Sequence, residues 1–130
     1  MGSQDNAELV QRGYAAFSAG DMATLTELFA EDAVWHAPGS SPMSGSKKGR
    51  SAILAFFGEI MTGSAGTATV TVQHVIGGDH HTIGLHRNHA ERNGNVLDQD
   101  AVLVFTITDG RVTDVKEFHE DTTRSDKFWS

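Results

Sequence analysis

The chain has 130 residues, no cysteine and a formal net charge of −7. This length fits a single domain over residues 1–130 with a core of its own, and the absence of cysteine excludes disulfides and thiolate chemistry. Nucleic-acid-binding proteins gather lysine and arginine on one surface, whereas acidic residues outnumber basic ones here by 17 to 10. The one basic cluster, residues 47–50, is expected to be a solvated loop. We therefore expect no nucleic-acid partner.

The apolar runs of the sequence are short. The segment AVLVF, residues 101–105, is far below the about 20 residues that a membrane-spanning helix needs. No charged leader followed by an apolar stretch opens the sequence, as it would in a secretory signal. We expect a cytoplasmic protein with no membrane partner, in which residues 1–5 are open to disorder.

The first half of the chain predicts three amphipathic helices. Asp5 or Asn6 can cap the first, whose apolar residues recur at helical spacing. Asp21 can cap the second, whose apolar face follows at once. A short extended segment, residues 33–36, then precedes a loop rich in glycine, serine and proline, residues 39–49, and the third helix begins after this loop.

The second half of the chain alternates apolar with polar residues, as half-buried β-strands do. Short segments with glycine and asparagine between the strands fit hairpin turns. The predicted strands cover residues 67–76, 81–91, 97–108 and 111–120. We therefore predict an α+β fold, a cone formed by a curved antiparallel sheet wrapped on three N-terminal helices. An unfilled cone encloses a cavity, which is the usual form of a ligand site.

Four segments carry a resemblance to a known family: YAAFSAGDMATLTELFAEDAVWHAPG (14–39), GRSAILAFF (49–57), VFTITDGRVTDV (104–115) and DTTRSDKFW (121–129). In order and spacing they resemble the SnoaL-like, ketosteroid-isomerase-like branch of the nuclear transport factor 2 fold. The resemblance covers nearly the whole chain and implies a barrel-like cone with a hydrophobic ligand pocket, often in a homodimer packed through the sheet. Isomerases, cyclases, epoxide hydrolases, dehydratases and non-catalytic binders share this cone, so function has to be argued from side chains.

The resemblance gives a mixed result for the chemistry of ketosteroid isomerases. In those enzymes an aspartate moves the proton, while a tyrosine and a protonated aspartic acid stabilise the dienolate. The loop over residues 39–49 is longer here than in those enzymes. Aligned from the residues before the loop, the position of the base falls on Ala37, and aligned backward from SPMSG within it, on His36. The tyrosine position falls on Gly13, one residue before Tyr14, and that of the aspartic acid falls on Leu103. The steroid-isomerase mechanism is therefore not expected.

Strand parity taken from the same resemblance places several polar side chains on the concave face. Each costs roughly 1–3 kcal/mol when it is buried without a partner, so several together indicate a wet or ligand-filled cavity. The predicted catalytic residues are His36, His86, Glu117 and His119. The predicted substrate-pocket residues are Tyr14, Trp35, Asn88, Gln99, Leu103, Phe105 and Asp121.

These side chains favour acid–base chemistry. One of the three predicted catalytic histidines would abstract a proton, since the ordinary pKa of histidine lies near 6.5, and Glu117 would orient it. Asn88 or Gln99 would donate a hydrogen bond to the developing oxyanion. The expected function is isomerisation, cyclisation or dehydration of a hydrophobic carbonyl compound of polyketide, terpenoid or steroid type, without a cofactor. No metal site is expected, because the sequence has no cysteine and no HxH or HExxH pattern.

Two alternatives stay open. The same cavity can serve a non-catalytic ligand-binding or accessory domain, in which Glu117 and His119 only hydrogen-bond to each other and stiffen the sheet. An epoxide hydrolase would need an inward Asp–Arg–Asp set, and Arg87 has the wrong parity for it. The tail, residues 122–130, ends in two large aromatic side chains, which are rarely kept fully exposed. We expect this tail to pack over the mouth of the cone or on a partner subunit.

Overall fold

The computed structural model describes residues 2–130 and has four helices and six strands in this part of the chain. The helices are α1 Ser3–Ala19, α2 Met22–Leu28, α3 Arg50–Gly63 and α4 Thr122–Trp129. The strands are β1 Phe29–Ala37, β2 Gly45–Lys48, β3 Thr69–Ile76, β4 Thr82–Arg92, β5 Asn95–Thr108 and β6 Arg111–His119. Within residues 2–130, no helix combines the length and the apolar character that crossing a membrane requires.

The six strands form one curved, unclosed sheet in the order β2-β1-β6-β5-β4-β3. The α+β class is therefore confirmed, and the four long strands predicted in the second half are all present, with β1 added beside β6. The sheet is mixed rather than purely antiparallel, because β1 runs parallel to β6. The loop predicted over residues 39–49 is also wrong in part, since its last residues form β2 and pair antiparallel with β1.

Helix α1 begins earlier than its predicted cap. It starts at Ser3, so Asp5 lies in the first turn, where its carboxylate accepts a hydrogen bond from the Gly2 amide at 3.3 Å. Asn6, the other predicted cap, is buried. Residues 3–5, which the sequence left open to disorder, thus belong to the helix. Asp21 does cap α2, accepting from the Thr24 amide at 3.1 Å.

The core lies between the helices and the inner face of the sheet. Val10 from α1, Ile53 from α3 and Val115 from β6 are at most 2% exposed. Alternation along β5 sends Leu103 and Phe105 inward, both nearly fully buried. Burying each such side chain contributes about 1.5–3 kcal/mol, which holds the helices against one face of the sheet.

The tail forms a helix that packs on its own chain. Phe128 of α4 is buried against Ala90 and Leu97. The Arg92 guanidinium donates to the Phe128 and Ser130 carbonyl oxygens at 3.0 and 2.9 Å. These contacts bring α4 to the end of the cone where the loop after β1 also lies.

Candidate active site

The inner face of the sheet and helices α1 and α3 enclose a cavity of about 140 Å³. A dry apolar cavity of about 150 Å³ accepts a benzene molecule, so this volume has room for a compact ligand. Most of the lining is apolar, and its aromatic members are Tyr14, Phe17, Phe29, Trp35, Phe56, Phe57, Phe105 and Trp129. The predicted pocket residues Asn88 and Leu103 line the cavity too.

Tyr14 and His86 form the first polar pair of the cavity. The Tyr14 hydroxyl lies 2.8 Å from His86 Nδ1, and both side chains are buried. Helix α1 brings the tyrosine over β4, and Gly84 makes room for it, because a Cβ there would lie 2.4 Å from the Tyr14 hydroxyl oxygen. Asn88, two residues along β4 from His86, lies beside this pair.

Burial keeps this pair uncharged. It raises the pKa of Tyr14 far above its ordinary value, and the negative charge of Glu117 raises it further. Burial also lowers the pKa of His86, against the smaller opposite effect of Glu117. A neutral tyrosine and a neutral imidazole carry two polar protons between them, and their mutual hydrogen bond uses one. The other proton is left to donate to Asn88 or to a ligand.

Trp35, Glu117 and His119 form the second polar group. The Trp35 indole donates to Glu117 Oε1 at 2.8 Å, and His119 Nε2 is hydrogen-bonded to Glu117 Oε2. Alternation along β6 places Glu117 and His119 on the same inner face, where 14% and 9% of their side chains are exposed. His119 Nδ1 is buried and has no hydrogen-bond partner among residues 2–130. Since a carboxylate only accepts, Nε2 is the nitrogen that donates to Glu117, and in a neutral imidazole Nδ1 then keeps its lone pair.

His36 does not lie in the cavity, contrary to its prediction as a catalytic residue. Its side chain is 42% exposed on the outer face, where Nε2 bonds to Asp114 at 2.8 Å and Nδ1 to Ser46 at 3.0 Å. The reason is strand alternation, which turns Trp35 and Ala37 toward the cavity and the residue between them away from it. Of the two alignments left open for the isomerase base, the position that reaches the cavity is therefore that of Ala37.

Gln99 and Asp121 were predicted to line the pocket, and the structure places both outside its lining. Gln99 is fully buried, but its Oε1 accepts from the Asp121 amide at 2.8 Å. The Asp121 carboxylate caps α4 by accepting from the Arg124 amide at 3.0 Å. Strand β6 ends at His119 and α4 begins at Thr122, so Asp121 lies in the short connection between them. Its contact with Gln99 ties the start of α4 to β5.

The sequence analysis did not predict several residues that line the cavity. Phe56 lines the cavity from α3. Met43 and Pro38 come from the loop after β1 and line the cavity together with Trp129 of α4. Tyr14 and His86 are 72 positions apart in the sequence, so no local pattern pairs them. A local feature that marks their contact is Gly84, a glycine within a strand at the point where the tyrosine ring approaches the backbone.

No arginine is among the described residues that line the cavity. Across residues 2–130, no three histidine, aspartate or glutamate side chains come close enough to hold a metal ion. Arg87 lies on the outer face of β4, where its guanidinium pairs with Asp100 at 3.2 Å and lies 3.8 Å from Glu120.

Comparison with known proteins agrees with this fold. The SnoaL-like domain family matches residues 10–115, and the chain belongs to this family. An uncharacterised protein of Mycobacterium tuberculosis is 35% identical over the full length of both chains. The structure of Bal32a, from a soil-derived mobile gene cassette, is 48% identical with a TM-score of 0.96 over 98% of each chain. A protein of Jannaschia named as a SnoaL-like polyketide cyclase shares the fold at 18% identity, with a TM-score of 0.77 over 91% of this chain and 87% of its own.

Proposed function

We propose that the protein binds a hydrophobic carbonyl compound in the cavity and transfers a proton on it without a cofactor, as isomerases, cyclases and dehydratases do. One observation carries this proposal: His119 is anchored through Nε2 to Glu117 while its Nδ1 is buried and unpartnered. A carboxylate that fixes one imidazole nitrogen leaves the other to act as a base, because it sets the tautomer and orientation of the ring. Proton removal next to a carbonyl group is the reaction that such a base serves in an apolar cavity.

Glu117 is held in place to orient His119. One of its oxygens accepts from Trp35 and the other from His119, which fixes the carboxylate beside the imidazole. When His119 takes a proton, the adjacent carboxylate stabilises the imidazolium. Trp35 therefore acts on His119 through Glu117, as a positioning residue.

The Tyr14–His86 pair would supply the acid. Removal of an α-proton puts negative charge on the carbonyl oxygen, and a donor already in place for that oxygen lowers the barrier. The pair always has one O–H or N–H beyond its internal bond, whichever tautomer His86 adopts. The negative charge of Glu117 acts on the pKa of both Tyr14 and His86, which supports placing this acid near the His119 base.

The test needs no knowledge of the natural substrate. Cyclic ketones and enones exchange their α-protons slowly in D₂O, and ¹H NMR follows the loss of each signal. We expect the protein to accelerate this exchange for some members of a panel. The substitution His119→Gln should reduce the acceleration by roughly 10²–10⁴-fold, the usual contribution of a general base.

His36→Asn is the matched control, because His36 also bonds to a carboxylate but lies outside the cavity. It should leave exchange unchanged. Exchange that survives His119→Gln would refute the proposed base. Ligand binding without any exchange in the unsubstituted protein would instead favour a non-catalytic binding domain. The position of Arg87 on the outer face leaves the epoxide hydrolase without support.

A further inference from the structure

We infer that the cavity selects uncharged ligands and rejects a carboxylate of the same shape, a substrate class that rests on the proposed function. The charges around the cavity carry this inference. Among the lining residues that the structure describes there is neither lysine nor arginine, and Glu117 is the one acidic side chain. A ligand anion would therefore enter an apolar space that offers it a negative charge and no free positive one.

The basic side chains adjoining the lining are engaged elsewhere. The Lys47 ammonium donates to the Ser44 carbonyl oxygen at 3.1 Å and lies over the Phe56 ring, 5.0 Å from its centroid. The Arg50 guanidinium donates to the Thr26 and Phe29 carbonyl oxygens at 3.2 and 3.4 Å. Neither side chain lines the cavity.

The three histidines that line the cavity do not offset Glu117 for an anion. Hydrogen bonds to Glu91 and Asp98 raise the pKa of His89, so a positive charge there is already paired with these two carboxylates. Burial favours the uncharged form of His86, as its lowered pKa indicates. A protonated His119 would form an ion pair with Glu117 and leave the pair without net charge. In both protonation states, a buried ligand carboxylate would lose its hydration without gaining a counterion, which is strongly unfavourable.

A neutral oxygen, by contrast, has a partner in the cavity. A ketone oxygen needs one donor, and the Tyr14–His86 pair has one proton beyond its internal hydrogen bond. The rest of the ligand meets aromatic walls, among them Trp35 and Phe57 at a ring-centroid distance of 5.2 Å and an angle of 88°. Rings packed edge to face in this way accept a further ring well. An uncharged cyclic ketone or enone therefore fits both the polar and the apolar parts of the lining.

Acetophenone and benzoate form a matched pair for the test, since they differ mainly in replacing a methyl ketone by a carboxylate. Titration calorimetry at pH 8 should give acetophenone at least tenfold lower Kd than benzoate. Glu117→Gln keeps an oxygen that can accept from Trp35 but removes the negative charge, so it should narrow this ratio. Lys47→Met is the control and should leave both Kd values unchanged, since its ammonium takes no part in the cavity.

The outcomes separate this inference from the proposed function. The inference would be overturned if benzoate bound as tightly as acetophenone. It would also be overturned if Lys47→Met abolished the binding of benzoate. A failure of acetophenone to bind would overturn it as well. Selective binding of the ketone by a protein that shows no α-proton exchange would uphold the inference and refute catalysis.

Discussion

Neighbouring residues on one strand of this sheet face different surroundings. On β6, Glu117 joins Trp35 and His119 in the cavity, while Phe118 is 53% exposed on the outer face. On β1, Trp35 lines the cavity and His36 bonds to a carboxylate outside it. A histidine in this chain is therefore a candidate base only where strand parity turns it inward, and sequence position alone does not identify one.

A substitution at Gly84 tests whether the Tyr14–His86 pair needs a residue without a side chain at this point of β4. An added Cβ would lie 2.4 Å from the Tyr14 hydroxyl oxygen and 2.8 Å from its Cε2, so Gly84→Ala should push the ring away from His86. We expect a loss of about 1–3 kcal/mol in the free energy of unfolding, as for other overpacked interiors. Chemical denaturation measures this change, and α-proton exchange should fall with it.

Gly13→Ala is the control for this substitution. It also lies beside the cavity, but its Cβ would meet only Leu28 at an ordinary 3.7 Å, and alanine favours a helix by about 0.5–1 kcal/mol over glycine. We expect it to leave stability unchanged or to raise it. If Gly84→Ala is as harmless as Gly13→Ala, the close approach of Tyr14 to β4 is wrong.

At the scale of elements, the sequence predicted strands better than their ends. Alternation is a local property of an extended chain, and the family resemblance implied which parity faces inward on β4, β5 and β6. Together they placed His86, Phe105 and Glu117 on one face, and all three line the cavity. Gln99 had the right parity, yet it does not line the cavity, and its side-chain oxygen accepts from the Asp121 amide at the start of α4. That contact depends on where α4 begins, which is decided by packing over a long sequence distance.

The prediction of a loop over residues 39–49 was wrong in part for a related reason, because the end of this segment forms β2. Glycine and serine in residues 39–49 favour a loop, and the pairing of β2 with β1 supplies hydrogen bonds that no local pattern announces. The same pairing fixes β1 so that His36 faces outward, beside Ser46. The missed strand β2 and the wrong placement of His36 in the cavity thus belong to the same part of the structure.

Asp126 joins α4 and the loop after β1, which both contribute residues to the lining of the cavity. Both of its carboxylate oxygens lie 3.1 Å from the Ser40 amide, which fastens α4 to the loop after β1. Gly39 has a φ of +88°, and a Cβ there would lie 2.2 Å from an Asp126 oxygen, so the contact needs glycine at this position. Asp126→Ala should cost roughly 0.5–1.5 kcal/mol of stability and speed amide exchange of residues 39–44.

Hydrogen–deuterium exchange followed by mass spectrometry measures this local effect. Asp126→Asn is the matched variant, because its amide oxygen still accepts from Ser40, and it should retain most of the protection. Equal protection of residues 39–44 in the unsubstituted protein and in Asp126→Ala would show that the loop is held by other contacts.

For the molecule as a whole, the outer face of the sheet carries an apolar band. Leu85, Val102 and Phe118 are direct neighbours across β4, β5 and β6. The next row along these strands brings Ile83 beside Val104 and ends at the exposed Lys116 on β6. Phe118 is the most exposed of the apolar side chains at 53%, and an apolar group of this kind is typical of a protein–protein interface.

We propose that this band pairs with the same band of a second copy, giving the homodimer through the sheet that the sequence resemblance implied. A two-fold arrangement sets the same patch against itself, so the apolar rows of both copies would cover each other. Phe118→Ser removes the largest exposed side chain of the band and should convert the dimer to a monomer, or raise its dissociation constant at least tenfold. Sedimentation velocity over a range of concentrations measures this. Val96→Ser is the control, because Val96 is 58% exposed but lies at the β4–β5 hairpin, six residues along β5 from Val102. A monomeric unsubstituted protein, or equal effects of the two substitutions, would contradict pairing through this face.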